Sequence, residues 1–255
     1  MFDALYVAER VLARLLIPLR VARYRRRSGP FVHRAERGLL FELHPGEEID
    51  RHIATYGIYE RRILHYLETL VPTGGVVLDI GANIGNHALF LSKKASEVHC
   101  FEPNPCAYGR LERNIRLNRA SSVRVHRFGL GDRDMSACFS ETSGNLGASH
   151  FGKDGNLELL IRKGDDAISL PRIDLIKIDV EGMEASVFKG LRGTIRKHRP
   201  AIAFECHDTE SWDAIRDSLP GYRIVEPVFT RLSPAPKLVP VETPTWHECL
   251  IALPS

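Results

Sequence analysis

The stretch GVVLDIGANIGN, residues 75–86, limits the possible folds more than any other part of this 255-residue chain. It begins with a short apolar run rich in β-branched residues, which is typical of a strand buried on both faces of a parallel sheet. Gly81 and Gly85 follow, and a helical pattern begins at Asn86. Glycines let the backbone approach a ligand, and the first free N–H groups of a helix point at it. The stretch therefore predicts an anion or nucleotide site at the end of a strand.

The rest of the chain alternates short apolar runs with helical patterns. Further strands are expected at 97–101, 122–130, 173–179, 201–205, 222–227 and 248–253, with helices at 105–118, 184–197 and about 210–219. A short strand at 39–43 and one or two helices at 49–70 precede the glycine turn, and residues 56–60 either cover the ligand crevice or pack as plain helix. This alternation predicts an α/β fold with a doubly wound, mostly parallel, seven-stranded Rossmann-like sheet.

Residues 134–164 interrupt the alternation with two strand-like pieces around a Gly/Ser/Asn-rich stretch, SGNLGASHFGKDGN. We expect an inserted hairpin with a mobile loop, and such loops often contact substrate. The predicted organisation is an N-terminal helical extension over residues 1–38, followed by one Rossmann-like domain over residues 39–255 that carries the insert.

The extension is strongly basic, since residues 1–37 hold nine arginines against three carboxylates, in a chain whose net charge is +3. Apolar residues recur at helical spacing within it, at Leu5, Ala8, Leu12, Leu15, Leu16 and Leu19. One interpretation is an amphipathic helix whose basic flank brings residues 1–28 into peripheral contact with an anionic membrane surface. The alternative is a helix that packs on the domain or on a second subunit. The remainder of the chain carries about −3, which argues against a nucleic-acid partner.

Cysteine usage and the N-terminal pattern predict a cytoplasmic protein. The five cysteines are scattered and form no C-x-x-C pair, which indicates reduced thiols. The apolar patch at 11–19 is interrupted by Arg14 and Pro18, so it is too short to span a bilayer, and it lacks the pattern of a secretory signal. Any membrane contact is therefore expected to be peripheral, at the inner face.

Four carboxylates each end an apolar strand of the predicted sheet: Asp79, Glu102, Asp179 and Glu205. Since ligands bind at the carboxyl ends of parallel strands, near the switch point, we expect these side chains at one edge. Each of them alone could instead cap the helix that follows it. Glu102 lies 17 positions after Gly85, where a carboxylate can accept hydrogen bonds from both hydroxyls of a ribose. A nucleoside-containing cofactor is therefore expected.

The motif differs from the dinucleotide fingerprint, because the third glycine is absent and Asp79 precedes the first glycine. A carboxylate beside the turn would repel a pyrophosphate, whereas it suits the ammonium and the sulfonium neighbourhood of S-adenosylmethionine. Two alternatives remain open at this point. One is a nicotinamide-dependent dehydrogenase on a similar fold, and the other is a non-catalytic module that binds a membrane surface.

Four motifs, LDIGANIGN, FEPNP, KIDVEGME and IAFE, occur in this order. In them the sequence resembles the FkbM-type S-adenosylmethionine-dependent methyltransferases, over roughly residues 59–253. The resemblance implies the class I methyltransferase fold, with S-adenosylmethionine held by Asp79, Gly81, Asn83, Gly85, Asn86 and Glu102, and with its adenine bordered by residues 128–132, including Gly129 and Asp132. It also implies O-methylation of a hydroxyl on a sugar, a glycan or another small molecule.

Methyl transfer to an oxygen needs a group that takes the hydroxyl proton. The candidates are His207, which lies two residues beyond a predicted strand, then Asp179 and Glu205, and last His87. A histidine with an unperturbed pKa near ~6.5 suits this role at neutral pH, although His207 could equally cap a helix or lie in a loop. Asp179, Glu205 and His207 could also ligate a metal, but nothing in their spacing requires one, and none is predicted.

Overall fold

The computed structural model describes residues 16–140, 150–151, 157–180, 182–206, 209–230, 233, 235–242 and 247–255. The strands are β1 (Phe31–Arg34), β2 (Leu40–Leu43), β3 (Val76–Ile80), β4 (Glu97–Phe101), β5 (Val123–His126), β6 (Gly129–Gly131), β7 (Met135–Ser140), β8 (His150–Phe151), β9 (Leu157–Lys163), β10 (Leu175–Ile178), β11 (Ala201–Cys206), β12 (Tyr222–Val228), β13 (Lys237–Pro240) and β14 (His247–Pro254). The helices are α1 (residues 16–25), α2 (Glu48–Tyr56), α3 (Arg61–Leu70), α4 (Asn86–Leu91), α5 (Pro105–Asn118), α6 (Gly164–Ala167), α7 (Glu184–Gly190), α8 (Arg192–His198) and α9 (Thr209–Asp217). Within these described ranges, no helix has the length and apolar character needed to cross a membrane.

The main sheet has eight strands in the order β13-β12-β14-β11-β10-β3-β4-β5. Neighbours from β11 to β5 are parallel, and β14 runs antiparallel between β11 and β12. Successive residues of β3 enter different cores, since Val77 packs with α3, α4 and α5 and Leu78 packs with α7, α8 and α9. The predicted doubly wound, mostly parallel sheet is confirmed. Beyond the seven expected strands, the proline-rich loop contributes β13 at the edge.

The predicted strand at 122–130 is divided between two sheets, which corrects the sequence-based expectation. β5 ends at His126 in the main sheet, whereas β6 pairs with β9 in a four-stranded sheet of order β6-β9-β7-β8. The physical reason is the close packing of β9. A Cβ atom on Gly129 would lie 2.7 Å from Cδ1 of Ile161, and one on Gly131 would lie 2.9 Å from its Cγ2.

The insert forms the expected hairpin, because β7 and β9 pair antiparallel. The short strand β8 adds to β7 through Phe139 and Ser140. Most of the Gly/Ser/Asn-rich stretch lies outside the described residues, at 141–149 and 152–156. The interpretation of this stretch as a mobile loop therefore stays a prediction.

The N-terminal segment is fastened to the domain. β1, which the sequence did not predict, pairs antiparallel with β2, so this hairpin crosses the predicted boundary between residues 38 and 39. Tyr24 of α1 is buried, and its hydroxyl donates to the carbonyl oxygens of His44 and Glu47 at 3.0 and 3.2 Å. The part of α1 that the structure describes thus packs on the domain through Tyr24, while the first 15 residues lie outside the described chain.

A buried ion pair joins this N-terminal region to α5. Asp50 of α2 is fully buried and accepts from the guanidinium of Arg110 and from the backbone N–H of His44. Burial raises the pKa of Asp50, and Arg110 opposes that rise. Because neither charge has access to water, removing one partner leaves the other as an uncompensated buried charge.

We expect Arg110→Ala to lower the free energy of unfolding by about 3–5 kcal/mol, the usual cost of breaking a buried pair. The matched control is Arg113→Ala on the same helix, which removes an exposed pair with Glu42 and should cost about 1 kcal/mol or less. Urea denaturation followed by circular dichroism measures both. Equal losses in the two variants would show that the Asp50–Arg110 pair does not fasten the N-terminal region.

Candidate active site

The glycine turn after β3 brings two strand ends into contact. Gly81 has φ +80°, and a Cβ atom there would lie 1.7 Å from the carbonyl oxygen of Asp179 at the end of β10. Gly85 has φ +87°, and its Cβ atom would lie 2.4 Å from Cδ1 of Leu111. Both positions therefore require glycine for the backbone conformation and for the close approach. Asn83, between them, also has positive φ, and its buried Oδ1 has no hydrogen-bond partner within the described part of the chain.

Asp79 is fully buried directly before this turn, and among the described residues neither of its carboxylate oxygens has a hydrogen-bond partner. The ammonium of Lys177 lies 3.9 Å from Oδ1, which is an ion-pair distance but too long for a hydrogen bond. A buried carboxylate without donors is costly, and such an atom calls for a physical explanation. The N–H donors of a ligand ammonium would satisfy this carboxylate. Asp79 is therefore compatible with the ammonium of S-adenosylmethionine that the sequence analysis expected beside it.

Lys177 is a site residue that the sequence analysis missed. It lies in β10 within the apolar run LIKI, is nearly buried, and donates to Oδ2 of Asp179 at 2.7 Å. Burial acts to lower the pKa of Lys177, but Asp179 and Asp79 outweigh burial and raise it. The ammonium therefore stays charged and joins the carboxylates at the ends of β3 and β10. The signals in the sequence are a lysine inside an otherwise apolar strand and its place at the start of the motif KIDVEGME.

Glu102 lies at the end of β4, and each of its oxygens accepts one backbone N–H. Oε2 accepts from Asn83 and Oε1 from Asn104, both at 2.9 Å. Burial raises the pKa of Glu102 to about 7, although the two N–H donors act to lower it. Each oxygen keeps a second lone pair, so the carboxylate has the geometry to accept two ribose hydroxyls.

The other predicted cofactor residues differ in their surroundings. The side chain of Asn86 is engaged by Tyr59, accepting from its N–H and donating to its carbonyl oxygen, both at 3.1 Å. Asn86 thus holds the segment before α3 over the glycine turn. Gly129 lies against the ring of Pro103, next to Glu102, whereas Asp132 accepts from the hydroxyl of Ser186 on α7 at 3.2 Å. Cofactor contacts by these three residues, and by the other predicted cofactor residues, stay predictions.

A small cavity of about 20 Å³, room for about one water molecule, lies beside the turn between α3, α4 and the ends of β10, β11 and β14. Its polar lining consists of Glu60, His87, Lys177, Asp179, Glu205 and Cys249. Nε2 of the nearly buried His87 is 3.0 Å from Oε2 of Glu60, without the alignment of a hydrogen bond. Glu60 itself has φ +52°, a conformation that is uncommon outside glycine and that often marks functional positions.

Three carboxylates share the space around this cavity. The pKa of the Tyr59 hydroxyl is raised, first by burial and then by Glu60, Asp179 and Glu205. The pairing of β11 with β14 shifts register between Phe204 and Cys206, where Glu205 alone faces two residues of β14. The ladder is thus irregular at Glu205, and the extra residue belongs to β14.

His207 lies outside the described residues, so its predicted catalytic role is not tested. Asp179 and Glu205 are both at the cavity, as the switch-point argument expected. Among the described residues, no three His, Cys, Asp or Glu side chains are grouped so that they could hold a metal.

Comparison with known proteins identifies the family. The family model of the methyltransferase FkbM domain matches residues 79–224 of this chain, from the end of β3 into β12. The chain belongs to the FkbM methyltransferase family. This membership favours methyl transfer over the dehydrogenase alternative, and the matched range includes Asp79, Glu102, Asp179 and Glu205.

Two curated relatives of this FkbM-family chain are named as methyltransferases. The 2-O-methyltransferase NoeI of Sinorhizobium fredii is 32% identical over 196 residues, which are 65% of this chain and 78% of NoeI. The hexuronic acid methyltransferase AglP of Haloferax volcanii is 30% identical over 141 residues, which are 54% of this chain and only 58% of AglP.

A solved FkbM methyltransferase structure from Methylobacillus flagellatus confirms the fold. It superimposes with a TM-score of 0.55 at 22% identity, covering 80% of this chain and 52% of that one. The chain therefore spans about half the length of this structural relative. At this level of identity, the structural similarity supports the fold and says nothing about the substrate.

Affinity for S-adenosylhomocysteine is expected to rise with pH between 6 and 8. Ribose hydroxyls donate to the ionised carboxylate, so binding favours the charged form of Glu102 and releases a proton near its pKa of about 7. One pH unit below that pKa, affinity should be on the order of tenfold weaker, and it should level off above pH 8. Isothermal titration calorimetry across this range, in buffers of different ionisation enthalpy, measures both the affinity and the proton.

Glu102→Gln should abolish this pH dependence and weaken binding roughly 10- to 100-fold, the value of hydrogen bonds to a charged group. Glu112→Gln, which alters an exposed partner of Arg127, is the control and should bind as wild type does. NAD should produce no thermal stabilisation. A flat wild-type profile, or stabilisation by NAD alone, would contradict the assignment of Glu102 to the ribose of this cofactor.

Proposed function

We propose that this protein transfers the methyl group of S-adenosylmethionine to a hydroxyl of a sugar, a glycan or a related small molecule. The observation that carries the proposal is that two pairs of carboxylates lie at one edge of the sheet. Asp79 and Glu102 are the turn carboxylates, and Asp179 and Glu205 are the cavity carboxylates. Relatives named as a hexuronic acid methyltransferase and a 2-O-methyltransferase support a sugar acceptor.

The turn carboxylates suit the methyl donor. When bound, S-adenosylmethionine supplies an electrophilic methyl group. Asp79 would accept hydrogen bonds from its ammonium, because both carboxylate oxygens lack donors, and Glu102 would accept from its ribose. Gly81 and Gly85 present bare backbone between them, where a side chain would collide with Asp179 or Leu111.

The charge of the cavity favours a hydroxyl acceptor over a carboxyl acceptor. Glu60, Asp179 and Glu205 line the cavity, and within the described lining Lys177 is the one lysine or arginine that balances them. This surplus of negative charge would repel an ionised carboxylate at the reacting position. A neutral hydroxyl meets no such repulsion and can donate to a carboxylate. The expected product is therefore a methyl ether and not a methyl ester.

Among the described groups, we assign the proton-accepting role to Glu205. Lys177 donates to Oδ2 of Asp179 at 2.7 Å, so the ammonium holds this carboxylate in a fixed position. Asp179 is therefore better suited to orient the acceptor hydroxyl than to take its proton. Glu205 lies on the neighbouring strand at the same cavity. His207, two positions beyond it, remains the alternative base from the sequence.

The first test is to incubate the full chain with methyl-labelled S-adenosylmethionine and host cell extract, and to fractionate the lipid, glycan and small-molecule pools. We expect alkali-stable label on a sugar or glycan, since ethers resist the base that cleaves esters. Label found only in protein or nucleic acid, or label released by mild alkali, would contradict the proposal.

With the acceptor identified, Glu205→Gln should lower kcat roughly 10²- to 10⁴-fold, the usual contribution of a general base. S-adenosylhomocysteine affinity should stay at the wild-type value, because Glu205 is assigned no contact with the cofactor. Glu112→Gln, on the surface of α5, is the matched control. If His207→Gln produces the large loss and Glu205→Gln does not, the base is His207 and the assignment to Glu205 is wrong.

A further inference from the structure

A second and larger cavity, of about 300 Å³, lies in the N-terminal region between α1, β1 and α2. Five basic side chains line it, together with the rings of Tyr24 and Phe31: Arg20, Arg23, Arg27, His33 and Arg34. Its volume is at the lower end of the range for small-molecule sites. Neither the family match, which begins at residue 79, nor the proposed methyl transfer accounts for it.

The arginine cavity carries positive charge. In the part of the chain that the structure describes, no carboxylate forms an ion pair with any of its four arginines. Arg20 donates to the carbonyl oxygen of Thr55, and the guanidinium of Arg27 lies 4.7 Å from the centre of the Phe31 ring. The pKa of His33 is lowered by burial and also by Arg20 and Arg23. Arginine forks without a carboxylate partner match the geometry of phosphate oxygens.

Exposed apolar side chains adjoin the arginine cavity. Leu16, Leu19 and Val32 are 38%, 67% and 55% exposed. Helical spacing places Leu16 and Leu19 on the same face of α1 as Arg20 and Arg23, and Val32 lines the cavity itself. A soluble anion would need the arginines alone. Arginines beside exposed leucines are the combination that binds the boundary between headgroups and acyl chains.

We propose that the arginine cavity binds the phosphate of an anionic lipid headgroup at a bilayer surface, with Leu16 and Leu19 inserted beside it. The buried Tyr24 fixes α1 to the domain, so the arginines are held in place and do not form a loose basic tail. The contact is then a built site with a preferred face. The membrane affinity of a loose basic tail depends on its number of charges. The membrane affinity of the arginine cavity depends instead on which arginines are removed.

The test compares two double variants of the full chain that lose the same charge. Arg23→Gln/Arg27→Gln removes two lining arginines, and Arg25→Gln/Arg26→Gln removes two that do not line the cavity. Co-sedimentation with phosphatidylcholine vesicles that contain phosphatidylglycerol measures the partition coefficient. We expect about a 25-fold loss for the lining pair, at ~5-fold for each arginine, and at most about a 3-fold loss for the control pair. Equal losses would overturn the proposal.

Two further measurements distinguish a lipid phosphate from a soluble one. Leu16→Ser/Leu19→Ser should lose vesicle binding while it binds glycerol 3-phosphate as wild type does. Wild-type protein that binds inorganic phosphate or glycerol 3-phosphate but not vesicles would assign the cavity to a soluble anion and overturn the lipid source. Unchanged melting temperatures verify folding of every variant. Since S-adenosylhomocysteine binding is measured separately, failure here leaves the proposed methyl transfer standing.

Discussion

The buried ammonium of Lys177 is the interaction on which the active-site edge depends. It lies 2.7 Å from Asp179 and 3.9 Å from Asp79, which belong to the ends of adjacent parallel strands. Two carboxylates brought this close to one ammonium would repel each other, and Asp79 is fully buried. The lysine makes their juxtaposition possible. It is itself made possible by them, because an unpaired buried ammonium would lose its proton.

The glycine turn and the cavity beside it are joined by contacts of the Gly81 backbone. The carbonyl oxygen of Gly81 lies 3.5 Å from Nζ of Lys177, and the carbonyl oxygen of Asp179 occupies the space where a Gly81 side chain would be. On the other side, Asn86 holds the backbone of Tyr59 in place next to Glu60. The glycine turn and the cavity beside it therefore share supports, which include the segment before α3.

Much of this arrangement could be predicted from the sequence, because its signals are local. The apolar run before Gly81 predicted β3, and the acids after the apolar runs predicted Asp179 and Glu205 at one edge. What could not be predicted depends on contacts between distant segments. A lysine at position 177 is unexpected in a buried strand. It is explained when the fold places Asp79, 98 positions earlier, beside it. Likewise, the split of 122–130 follows from the position of Ile161.

The charge distribution of the chain acquires a spatial meaning in the fold. Four of the nine arginines in the first 37 residues line one cavity, whereas three carboxylates line the small cavity at the sheet edge. A cationic methyl donor and a neutral hydroxyl suit the acidic edge, whereas a phosphate suits the basic cavity. If the acceptor is attached to a lipid through phosphate, both sites would select for the same molecule, one by its headgroup charge and the other by its hydroxyl. The net charge of +3 conceals this division, because the −3 of the remaining chain offsets half of the +6 in residues 1–37.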